Sequence, residues 1–213
     1  MRGSWREARP LGSDLLGGEP GDPAPKKARK KKPKPHPFAG LSPAPNLLAL
    51  DLASRTGWAW KASGAAPASG AVDLANVTGY ERRGSPFHGL SRWLAARSWS
   101  FRSDLAATAQ LVHGLVLEAP GGGAGRLSLI HAAGLRGIAL AWAAEHEIPV
   151  VSIAPSSLKL WATGHGRADK PAMIEAARRF WPEWRGEDDN EADALCLAAW
   201  GLEQARNAQE VKP

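Results

Sequence analysis

The order of apolar runs along this chain predicts an α/β domain built on a mixed sheet. Three observations carry that reading. Three short strand-like runs crowd into residues 46–75, close enough together to form a meander. Beyond them strand-like and helix-like segments alternate, as parallel strands need a crossover connection. Two of the apolar runs end in an acid, Asp51 and Glu118, and ligand sites in α/β sheets gather at the carboxyl ends of strands.

The elements follow in order. Residues 1–45 are rich in Pro, Gly and charge, and "PAPKKARKKKPKPHP" places seven Lys/Arg in positions 26–34, Lys30, Lys31 and Lys32 among them. Such a segment has too little apolar surface to fold alone and reads as a disordered basic tail. The folded domain is expected over 46–213. "NLLALDLA" is a short buried strand, "GWAWKA" alternates as a second, and "ASGAVDLA" at 68–75 is a third. Residues 85–110 carry a helical pattern, with Leu90, Trp93 and Leu94 on one face. "LVHGLVLEAP" is the fourth strand, ended by Glu118, and "GGGAG" follows as a mobile loop with no Gly-Lys-Ser/Thr to make it a phosphate loop. A long Ala-rich helix over 126–146 leads to a fifth strand, "IPVVSIAP". Short helices are predicted at 155–162 and 170–180, the second capped by Asp169 with Pro171 in its first turn, and a last helix from about Asp189 to Ala205. Trp142, Trp200 and Cys196 read as core residues, and Trp58 and Trp60 as packing beneath the end of the first strand.

Composition narrows the class. The formal net charge is +6, and residues 1–45 hold ten Lys/Arg against four Asp/Glu, so the remaining 17 and 17 cancel. The positive balance belongs to the tail, and a basic arm gains affinity for phosphate backbones by releasing counterions. A solubilising linker or, in a eukaryotic source, a nuclear address has the same composition. A single Cys excludes an intrachain disulfide and fits a reducing compartment. With no run of 18 apolar residues and no apolar stretch after Met1, the expectation is a soluble cytoplasmic protein with no membrane partner.

Three acid positions in this order point to a metal site: Asp51, Glu118 and Asp193, the last within "DDNEADALCLAAW". Asp189 and Asn190 lie four and three residues before Asp193 and share its helical face. Clustered carboxylates repel one another, and divalent cations remove that cost. Mg²⁺ prefers hard oxygen ligands, and two ions about 3.5–4 Å apart suit phosphodiester hydrolysis. The six His are scattered, so zinc does not compete. Taken singly, each acid also has a structural reading: a turn cap for Asp51, an Arg partner for Glu118, an N-terminal helix charge for Asp188 or Asp189.

"LLALDLASRTGWAW", "LVLEAP", "IPVVSIAPSSLKLWATGHGRADKPAMI" and "DDNEADALCLAAWG" together resemble the RuvC-type Holliday-junction resolvases of the ribonuclease H-like superfamily, those of phages and prophages above all, over roughly residues 46–205. The resemblance implies a five-stranded mixed sheet flanked by helices and a homodimer that nicks two strands of a four-way DNA junction with Mg²⁺, for which Mn²⁺ substitutes. It implies Asp51, Glu118 and Asp193 as catalytic metal ligands. The family carries a further Asp where this chain has Asn190, so the fourth ligand is Asp189 or Asn190, with Asp189 favoured. It also implies phosphate contacts from Lys159 and Lys170 in the basic loop, and Arg167 and Arg126 are candidates beside them. Gly164 and Gly166 would let the backbone approach DNA, while His165 reads as an exposed loop residue. Three other readings compete: an ATPase or sugar-kinase-like protein, a branched-DNA-binding module without cleavage, and a nuclease acting on forks, flaps or RNA–DNA hybrids.

Overall fold

The computed structural model describes residues 35–76, 85–103, 112–120 and 125–210. Lys30, Lys31 and Lys32, the end of the helix expected over 85–110 and most of "GGGAG" lie outside the described residues.

Five strands form one sheet: β1 Leu47–Asp51, β2 Arg55–Lys61, β3 Ala68–Asp73, β4 Gly114–Glu118 and β5 Val150–Ile153, in the order β3-β2-β1-β4-β5. The first three are antiparallel neighbours, and β1, β4 and β5 run parallel. The mixed sheet is as the sequence predicts, because short connections permit only the meander and longer helical ones permit the parallel half. The helices are α1 Pro86–Ser103, α2 Arg126–Glu145, α3 Pro155–Thr163, α4 Lys170–Phe180 and α5 Asp189–Glu210. Asp169 caps α4 by accepting from the Ala172 amide at 3.0 Å, with Pro171 in the first turn.

Side chains alternate across each strand, and this alternation sorts the core into two layers. Leu47 and Ala49 of β1 and Val116 of β4 pack under α3, α4 and α5. Leu48, Leu50, Leu115 and Leu117 pack against α1 and α2 with Trp60, Trp93 and Trp142. Trp58 and Trp60 therefore sit in the α1–α2 layer, Trp58 against the Trp93 ring at 5.9 Å. Cys196 is buried in α5, and Trp200 packs half-buried against the same core.

Two boundaries differ from expectation. Packing begins before Asn46: Phe38 is fully buried in the α5 layer, and Gln209 Nε2 donates to the Leu41 carbonyl at 2.7 Å. A lone Phe among prolines carries no periodicity to announce a buried anchor. The last helix runs to Glu210 rather than Ala205, because Ala205 and Ala208 still meet the core.

Candidate active site

Alternation also aims the acids. Asp51 follows Leu47 and Ala49 at two-residue steps, and Glu118 follows Val116, so both strand-end acids belong to the α5 side of the sheet. Ala49 pairs with Val116 and Leu50 with Leu117, which puts Asp51 and Glu118 side by side on adjacent parallel strands. The start of α5 comes down on the same spot. Asp51 pairs across the hairpin with Gly57, and a Cβ at Gly57 would stand 1.8 Å from the Asn190 carbonyl oxygen. Only glycine permits that approach, which carries Asp189 and Asp193 toward the strand ends.

The electrostatics record the convergence. Burial raises Glu118 to about 8, with repulsion from Asp51 and Asp193 and a hydrogen bond donated to Asp51 adding to it. Burial raises Asp51 to about 6, against the Glu118 hydrogen bond, with Asp189 pushing it up and Lys159 drawing it down. Burial and then Asp51 raise Asp193 to about 7. Lys159 of α3 acts electrostatically on all three acids.

Two ion pairs hold the start of α5. Arg55 pairs with Asp188, and Lys170 pairs with Asp189. Asp188 also accepts the Asn190 and Glu191 amides at 3.0 and 3.1 Å, the geometry of an N-cap. Burial works against its ionisation, yet Arg55 and these amides hold Asp188 below the usual carboxylate range. Asn190 thus faces Gly57 with its carbonyl and Asp188 with its amide, whereas Asp189 acts on both Asp51 and Asp193.

The acids fit a divalent cation. Asp193 Oδ1 is buried with no hydrogen-bond partner, which is costly for a carboxylate oxygen unless a proton or cation meets it. The donor set is all hard oxygen, as Mg²⁺ or Mn²⁺ prefers. Among the described residues no group of three or more His, Cys, Asp or Glu is arranged to hold a metal ion as it stands.

Of the other expected contacts, Lys170, Arg167 and Arg126 are exposed. Gly164 has a structural task, the left-handed C-cap of α3 with φ 84°, and His165 is exposed. Sequence reasoning missed Gly57, Arg55 and Arg136. Gly57 and Arg55 belong to the quoted strand-one motif, but their partners lie more than 130 positions away, and no local pattern names them.

No family model matches the chain. It is 44% identical over 86 residues to the crossover junction endodeoxyribonuclease RuvC of Anaeromyxobacter dehalogenans strain 2CP-C, a stretch covering 40% of this chain and 46% of that protein. It is 42% identical over 73 residues to the RuvC of Gloeobacter violaceus, covering 34% and 42%. The chain thus spans about half the length of the curated relatives it matches. Thermus thermophilus RuvC superposes with a TM-score of 0.53 at 16% identity, over 72% of this chain and 90% of that one. The same protein in complex with a Holliday junction substrate gives 0.56 at 16% identity, over 76% and 94%. The order β3-β2-β1-β4-β5, the acids at the ends of β1 and β4 and these likenesses agree: the chain has the ribonuclease H-like fold of Thermus thermophilus RuvC and is similar in sequence to RuvC over part of its length.

Proposed function

We propose that the protein is a metal-dependent, structure-selective DNA endonuclease that resolves four-way junctions by paired nicks. One observation carries the reading: two strand-end acids, Asp51 and Glu118, end adjacent parallel strands side by side, and a third acid, Asp193, has a buried Oδ1 with no hydrogen-bond partner. Asp51, Glu118, Asp189 and Asp193 are the residues to hold two Mg²⁺ ions, or Mn²⁺ in their place. Bound there, such ions supply Lewis-acid stabilisation and a nucleophilic water for phosphodiester hydrolysis. Asp51 lies on the central strand between β2 and β4, and would be one of the residues that hold them. Asp189 rather than Asn190 is the fourth ligand, because Asp189 acts on both Asp51 and Asp193, whereas the Asn190 side chain hydrogen-bonds Asp188.

The chain's cations serve the DNA. Lys159 acts on all three acids and would meet the phosphate that they address. Lys170 neutralises Asp189 in the DNA-free chain; with Asp189 engaged elsewhere its ammonium is available to a phosphate. Arg167 and Arg126 are exposed for backbone contacts, and Lys30, Lys31 and Lys32 of the basic tail extend the footprint. Paired nicks need two active sites, and the exposed apolar residues of α2, Leu127 at 82%, Ile130 at 57% and Leu129 at 41%, support a homodimer through that helix. The cytoplasm is the compartment such an enzyme requires. By length and composition α2 is also the one helix among the described residues able to cross a bilayer, but Leu135, Ala139, Trp142 and Ala143 commit one face to the sheet.

The test uses a labelled four-way junction, with a fork and a linear duplex as controls, incubated with Mg²⁺ or EDTA. Symmetric junction nicks are expected, absent in EDTA and reduced at least about 10²-fold in Asp51→Asn, the scale of losing several kcal/mol of metal stabilisation. Asp189→Asn should lose nearly as much and Asn190→Ala far less. Metal-dependent cutting of forks or duplex instead would keep the chemistry and replace the substrate. Tight junction binding with no cutting in Mg²⁺ would leave a branched-DNA-binding module, with Asn190 as the position that distinguishes it.

A further inference from the structure

We infer that Arg136 is a positioning residue for Glu118, setting the end of β4 from the face of the sheet opposite the acids; this rests on the metal-site reading above. Arg136 lies in α2. Its Nη1 donates to the Glu118 main-chain carbonyl at 3.3 Å, and its Nη2 donates to Ser152 Oγ at 2.7 Å. One guanidinium thereby ties β4 to β5 at their carboxyl ends, where Glu118 pairs with Ile153 and Leu117 with Ser152.

The need for such a tie follows from the sheet. Asp51 sits on β1, flanked by β2 and β4. Glu118 sits on β4, whose outer neighbour β5 has four residues and is an edge strand. The last main-chain bond there runs from the Ala119 amide to the Ile153 carbonyl at 2.8 Å. Beyond it the chain passes through Pro120, which has no amide to donate. The weakest-held backbone among the strand-end acids is therefore that of Glu118, and Arg136 binds it.

The direction of approach fixes the role. Val150 belongs to the α1–α2 layer, and Ser152 is two residues on, the same face. Glu118 belongs by alternation to the α5 face. Arg136 thus reaches the Glu118 backbone rather than its carboxyl group. Burial lowers the Arg136 pKa from its ordinary value, so its position has a desolvation cost that two fixed acceptors offset. A forked guanidinium spans a carbonyl and a hydroxyl together, which an ammonium does not do in the same geometry.

The experiment compares full-length wild type with Arg136→Ala, Arg136→Lys and Ser152→Ala. Mn²⁺ affinity of the DNA-free protein is measured by calorimetry, alongside junction Kd, single-turnover nicking rate and Tm. Support from outer residues is worth roughly 10–100-fold in metal affinity or activity. Arg136→Ala is expected to weaken Mn²⁺ binding and slow nicking within that range with junction Kd within about twofold. Arg136→Lys should recover little, Ser152→Ala should lose less, and millimolar guanidinium should partly restore Arg136→Ala. Weakened junction binding with an unchanged nicking rate would make Arg136 a phosphate contact and overturn the inference. Unaltered Mn²⁺ affinity in a folded Arg136→Ala protein would overturn it too. If wild type binds Mn²⁺ but cuts no DNA, the resolvase reading fails; a weakened Mn²⁺ site in Arg136→Ala would still uphold the positioning role.

Discussion

Glu118, Asp193 and Asp51 stand above the usual carboxyl range for a shared reason: each has left water in the company of other acids. The sign of the consequence is definite. In the unfolded chain these groups release their protons near pH 4. The folded, metal-free chain still holds protons up to about pH 8 at Glu118 and about 7 at Asp193. Where the folded state binds more protons than the unfolded state, stability falls as pH rises. The stabilisation from these groups is therefore complete below about pH 4 and is lost progressively up to about pH 8. Melting in EDTA between pH 5 and 8.5 should give a Tm that declines by several degrees. Glu118→Gln should flatten the upper part of that decline. Mn²⁺ should raise Tm more at pH 8 than at pH 5, because ligands must shed their protons to bind. A Tm that rises through this window in EDTA would mean the acids do not crowd one another as described.

At the scale of elements, the site depends on how closely α5 settles on β2. Gly57 allows contact with the Asn190 backbone, and the Arg55–Asp188 and Lys170–Asp189 pairs hold the helix start laterally. A methyl group at Gly57 would meet main chain, which yields only if the whole first turn of α5 moves. Gly57→Ala should therefore lower Mn²⁺ affinity about tenfold or more and cost a few degrees of Tm, the effect of overpacking by roughly 1–3 kcal/mol. Wild-type Mn²⁺ affinity in Gly57→Ala would show that α5 does not set the ligand geometry. This element also shows where sequence reasoning stops. Asp51 and Glu118 are legible because a two-residue period and a strand-ending acid are local signals. Their common face follows once β1 and β4 are neighbours. Gly57 and Arg136 are not legible, because their partners arrive through tertiary packing, and a glycine in a strand or an arginine in an Ala-rich helix has many ordinary explanations. Lys170 reads as a DNA contact in sequence, and the fold adds an acid partner that spacing alone does not name.

For the whole molecule, charge is divided between a body and an arm. Residues 35–45 contain no Asp, Glu, Lys or Arg, so all of the +6 resides in residues 1–34, and residues 35–213 carry 17 of each sign. A body with no net charge would gain little long-range attraction for DNA from its own field. On the proposed function the basic segment would supply it, and its contribution would be separable because cationic contacts to phosphates do not read sequence. The deletion that tests this is 1–34, not 1–45, because Phe38 is part of the core and its loss would confound binding with stability. Each phosphate neutralised on duplex DNA contributes roughly 0.9 to the slope of log Kd against log salt. Ten Lys/Arg in residues 1–34 thus set an upper limit of about nine on the slope that the arm adds. Junction binding titrated from low to physiological salt should show a slope several units shallower after deletion of 1–34. Affinity should be weaker mainly at low salt, with the single-turnover nicking rate at saturating protein unchanged. An unchanged slope would place the DNA footprint wholly on the body, on Lys159, Lys170, Arg167 and Arg126. A slower saturated nicking rate would instead tie the arm to the chemistry at the strand ends.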